Sequence, residues 1–120
     1  MADGLARAGW DLDLAHGESR ELRLATIMNC SKVEVKSDGL ARRTGRIFIE
    51  TSHKGNPSGI NVTESEHWAI EVRDDTWLII PTDRLRDLVR QAALSGFERT
   101  GGDYNTTVGV TIPIEWIYKR

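Results

Sequence analysis

The chain has 120 residues, 39% hydrophobic and 28% charged, enough for one core and too balanced for a disordered segment. Lys and Arg number 16 and Asp and Glu 18, a net charge of −2 that excludes a bulk-basic, histone-like binder but leaves room for a local basic patch. One cysteine, Cys30, excludes an intrachain disulfide and a cysteine-built zinc site, and fits a reducing, cytoplasmic setting.

No run approaches the ~20 apolar residues of a membrane span, and residues 1–9 lack the apolar centre of a signal peptide. A single domain over residues 1–120 is expected. Residues 10–14 alternate apolar and acidic side chains, as a short edge strand does. Over residues 18–29, Leu22, Leu24, Ala25, Ile27 and Met28 have helical spacing. Residues 32–38 alternate strictly. Val33 and Val35 point one way, while Lys32, Glu34, Lys36 and Asp38 point the other. That predicts a strand whose charged face meets solvent.

Residues 39–45 read as a turn. Residues 46–52 read as a second strand, and Ile47-Phe48-Ile49 predicts burial on both of its faces. Residues 53–60 form a loop, and Thr63 before Glu64 and Glu66 reads as a short capped turn. Residues 68–73 and 76–81 form a hairpin around Asp74-Asp75. A helix follows over residues 82–94, capped by Thr82. Leu85, Leu88, Val89 and Ala92 are its apolar stripe, and Arg84, Asp87 and Gln91 its wet face. A Gly-rich polar loop over 100–105, a strand over 108–112 and an aromatic tail complete the order. The fold class is α/β or α+β, a mixed sheet flanked by helices.

The first two strands carry the candidate chemistry. If they pair antiparallel with Asp38 opposite Arg46, then Glu34 faces Glu50, with Lys36 one step along the same face. Two carboxylates side by side repel unless a cation lies between them, and Mg²⁺ takes one or two carboxylates plus water and phosphate oxygens. Glu50, at the end of an apolar strand, needs a partner. Arg42, Arg43 and Arg46 crowd the turn and Lys54 lies beyond the second strand, where they suit a phosphodiester backbone. Ser58-Gly59-Ile60 is a candidate to offer backbone N–H groups to phosphate. His16, His53 and His67 have no metal-ligand spacing, and no nucleotide fingerprint occurs.

The stretches VEVKSD, RRTGRIFIETS and PSGINVTESEHW, in that order, resemble the PD-(D/E)xK, or restriction-endonuclease-like, nucleases. The nearest look is to small phage-type Holliday junction resolvases, over residues 17–89. The resemblance implies a restriction-endonuclease-like core and a helix glutamate, Glu21, four residues after Gly17. It implies an acid on one strand, Glu34, and an acid on the next, Glu50. The family's lysine would fall at position 52, which is Ser52, so Lys36 supplies the ammonium from the neighbouring strand. A second alignment takes Glu34-Val35-Lys36 as the E-x-K, with Asp11 or Asp13 as the preceding acid. Both keep Glu34 and Lys36 in the site.

The activity so implied is Mg²⁺-dependent DNA endonuclease, with Mn²⁺ substituting. Glu34 and Glu50 would hold the metal, Glu21 would orient the water and Lys36 would stabilise charge at phosphorus. The expected partners are branched DNA and a second copy in a homodimer, with no membrane and no nucleotide cofactor. The alternatives are a catalytically silent DNA-binding module, for which Ser52 speaks, and a nuclease of free ends or damaged DNA.

Overall fold

Runs rich in Val, Ile, Thr and Trp form strands because branched and aromatic side chains pack well on a pleated surface. The computed structural model describes residues 14–30 and 32–119, which fall into two units divided between Ser31 and Lys32. In the first unit, the described residues form one helix, α1 (Leu14–Cys30), longer at its start than the apolar spacing predicts. The strand expected at residues 10–14 lies outside the described residues except for Leu14, which begins this helix.

The second unit is α+β. A mixed sheet contains β1 (Val33–Ser37), β4 (His67–Arg73) and β5 (Thr76–Pro81), with β1 parallel and β5 antiparallel to the central β4. A second, antiparallel sheet holds β2 (Arg46–His53), β3 (Asn56–Pro57), β6 (Glu98–Gly101) and β7 (Thr107–Pro113), in the order β3-β2-β7-β6. Three helices accompany them: α2 (Ala41–Thr44), α3 (Thr82–Leu94) and α4 (Glu115–Tyr118). A 3-10 turn covers Gly59–Asn61.

The core joins the two sheets to α3. Ile47, Ile49, Val110 and Ile112 come from β2 and β7, and Trp68, Ile70 and Ile80 from β4 and β5. Leu85, Leu88, Val89 and Ala92 are the apolar stripe of α3, as their spacing predicts. Each large side chain so buried contributes about 1.5–3 kcal/mol.

Several expectations are corrected. β1 and β2 are not a hairpin: they belong to different sheets, and β1 gives its ladder edge to β4. The intervening residues, expected as a turn, coil into α2. β2 is not buried on both faces, since Phe48 is 39% exposed. Thr82 does not cap its own helix; its hydroxyl donates to the carbonyl of Ser65 at 2.6 Å. Arg84 reaches back to donate to the carbonyls of Ile117 and Lys119, which ties α4 to α3. Among the described residues, no helix is long and apolar enough to cross a membrane.

Candidate functional site

Period-2 geometry puts Glu34 and Lys36 on one face of β1, but the register decides which face. Glu34 is level with Trp68 and Lys36 with Ile70, each 2% exposed, so the charged pair shares the side of the sheet that carries the core. Val35, on the other side, is 60% exposed. This reverses the expectation for β1. Lys36 Nζ lies 3.6 Å from Glu34 Oε2 and 5.9 Å from the centre of the Trp68 ring. The pair is partly in water, so it adds only about 0–1 kcal/mol to stability. Its importance is where it holds the two groups.

Glu50 comes from the other sheet. Ile47 and Ile49 point into the core, so Arg46, Phe48 and Glu50 alternate onto the opposite face of β2. Ser58 donates its hydroxyl to Glu50 Oε2 at 2.6 Å. The Ser58 N–H is already spent on the carbonyl of Thr51 at 3.0 Å. The expectation that Ser58 offers that backbone donor to phosphate therefore gives way to a role in holding Glu50. Gly59, at φ +55, lets the loop turn against β2, and Ile60 anchors it in the core. Arg86 of α3 donates to the carbonyls of Ile60 at 3.2 Å and Thr63 at 3.1 Å. The Thr63 hydroxyl stands 3.4 Å from Glu34 Oε1. One loop thus reaches both acids.

The assumed register, Glu34 opposite Glu50, is replaced by a single clasp between the strands. Asp38 Oδ2 accepts the Phe48 N–H at 2.8 Å, and Oδ1 accepts the Leu40 N–H at 3.1 Å. Beside this clasp is a cavity of about 400 Å³, lined by Lys36, Asp38, Phe48, Glu50, Gly59 and Trp68 among others. Lys36 is the link: it pairs with Glu34 and shares the cavity wall with Glu50.

A β-bulge interrupts β2 after Glu50. Glu50 is level with Gly109 and Ser52 with Val108, successive residues of β7, so the bulge turns Ser52 to the opposite face from Glu50. A side chain at position 52 therefore points away from that of Glu50.

Among the described residues, no three His, Cys, Asp or Glu side chains gather into a metal cage. Mg²⁺ asks for less: one or two carboxylates, the remaining places going to water and phosphate oxygens. The hard oxygens of Glu34 and Glu50 fit that donor chemistry.

Glu21 is exposed on α1, in the first unit. Arg42 and Arg43 are exposed on α2. Arg46 is committed locally: its guanidinium lies 4.4 Å from the centre of the Phe97 ring and donates to Thr111 Oγ1 at 3.3 Å. Lys54 is exposed in the turn between β2 and β3. Sequence reasoning misses Thr63, Trp68 and Arg86; the T-x-x-x-x-W spacing is the one signal that points to the first two. Compared with known proteins, the chain matches no family model, no curated protein and no solved structure.

Proposed function

We propose that the chain is a metal-dependent DNA endonuclease that hydrolyses phosphodiester bonds. The observation that carries the reading is the position of Lys36, paired with Glu34 and sharing a cavity wall with Glu50. Lys36 and Glu50 line one cleft and Glu34 is paired with Lys36, groups of the kind that serve metal-assisted phosphodiester hydrolysis. Glu34 and Glu50 would hold Mg²⁺ or Mn²⁺, which when bound supplies Lewis-acid activation at the phosphate. Lys36 donates to the non-bridging oxygen on which charge grows as water adds to phosphorus and the P–O ester bond breaks. Trp68 beneath Lys36 restricts where that ammonium stands.

The proposal extends to branched DNA as substrate, acted on by a cytoplasmic homodimer, because a symmetric two-strand cut needs two copies of the site. It uses the residues of the second unit alone. The test compares cleavage of a four-way junction, a duplex and a single strand, with Mg²⁺ or with EDTA. Glu34→Gln and Glu50→Gln should each abolish Mg²⁺-dependent cleavage with the fold intact, and Lys36→Ala should lose cleavage while keeping DNA binding. Wild-type protein that binds junctions but cuts none of the three would instead establish a silent binding module.

A further inference from the structure

The face of β2 that carries Glu50 also carries Phe48 and Arg46, at steps of about 7 Å along the strand. Phe48 is 39% exposed and lines the same cavity as Lys36 and Glu50. Leu40, 56% exposed, stands on the same rim. The ring and Leu40 thus form an apolar rim on a cavity that also holds Lys36 and Glu50.

The ring is also fixed in place. Gly109 on β7 forms a notch beneath it: a Cβ there would meet Phe48 Cζ at 2.5 Å and the carbonyl oxygen of Ile49 at 2.4 Å. Arg46 stands on one side of the ring, already immobilised against Phe97 and Thr111. Lys36 lines the same cavity as the ring. An aromatic ring that shares a cavity wall with a lysine matches one nucleotide: the base stacks on the ring and a flanking phosphate meets Lys36. A base still stacked within a duplex cannot present its face in this way.

We propose that Phe48 is the stacking platform for one unpaired base beside the cleaved phosphate. The site therefore takes DNA in which a nucleotide next to the cut is already unstacked, as at a fork or junction, in preference to continuous duplex. The inference rests on the nuclease reading only for the place of the cleaved phosphate at Glu50.

The test uses a forked oligonucleotide with 2-aminopurine at the unpaired position next to the branch, titrated with the full chain in EDTA so that nothing is cut. Wild-type protein should quench the 2-aminopurine. Phe48→Trp should quench it as well. Phe48→Ala should abolish quenching and weaken fork binding about tenfold, with duplex binding changed less than about twofold. An unquenched base with wild-type protein overturns the proposal, as does an equal loss on fork and duplex. Sedimentation of Phe48→Ala is the further check: if the substitution splits a dimer, the ring covers a second copy and the proposal falls. Cleavage is scored separately with Mg²⁺. Stacking without cleavage refutes the nuclease reading alone, and cleavage without stacking refutes this inference alone.

Discussion

Gly59 lies so close to Glu50 that a Cβ at position 59 would meet the Glu50 carbonyl oxygen at 2.3 Å, and its φ of +55 favours glycine. Replacing it with alanine brings left-handed strain of about 1–3 kcal/mol and a backbone clash on top of it. Gly59→Ala should lower the urea midpoint by more than Gly55→Ala, where φ is +80 but the space is open. Equal losses would mean that the close approach does not hold the loop.

Ser58 acts on the other end of the same residue. Its hydroxyl donates to one oxygen of the Glu50 carboxylate, which fixes the rotamer and leaves the remaining lone pairs free. Partners of this kind change metal affinity by about 10–100-fold when removed. If Glu50 holds Mg²⁺ as proposed, Ser58→Ala should raise the Mg²⁺ concentration needed for half-maximal cleavage by that order, with the rate at saturating Mg²⁺ falling less. A lower rate at every Mg²⁺ concentration, with the half-maximal point unmoved, would assign Ser58 to DNA contact instead.

Asp38 carries a structural prediction that is independent of catalysis. It takes the N–H groups of Phe48 and Leu40, which otherwise turn to water. Asp38→Ala should cost about 1–2 kcal/mol. Asp38→Asn, which keeps one acceptor, should cost less. Hydrogen exchange at the Phe48 amide should speed up in the alanine variant, and an unchanged exchange rate there would dissolve the clasp.

Local periodicity made α3, the β4–β5 hairpin and the shared face of Glu34 and Lys36 legible, because each depends on residues close together in the chain. It did not reveal that β1 runs parallel to a strand more than thirty residues on, which alternation within β1 cannot encode. The same alternation shows that Glu34 and Lys36 are together but not that Trp68 and Ile70 share their side. The bulge at Glu50 is likewise silent in the sequence, yet it takes position 52 off the face of Glu50. The SGI stretch was visible as a motif. Its purpose, a loop that touches Glu50 through Ser58 and Glu34 through Thr63, required the fold.

Arg42 and Arg43 are exposed on α2, beside each other, on a chain of net charge −2. Arg46 differs from them: it packs on Phe97, and Arg46→Ala would mix lost packing with lost charge. The clean test of backbone contact is the double variant Arg42→Ala, Arg43→Ala. Each phosphate contact contributes about −0.9 to the slope of log K against log salt on duplex DNA. The double variant should flatten that slope by roughly 1–2 units. Binding should weaken by a similar factor on all sequences, because phosphate contacts carry no base information. The salt slope and the sedimentation mass are measured together. An unchanged slope with an unchanged mass means that both arginines merely face solvent, and a lower mass with concentration-dependent binding assigns them to the contact between copies.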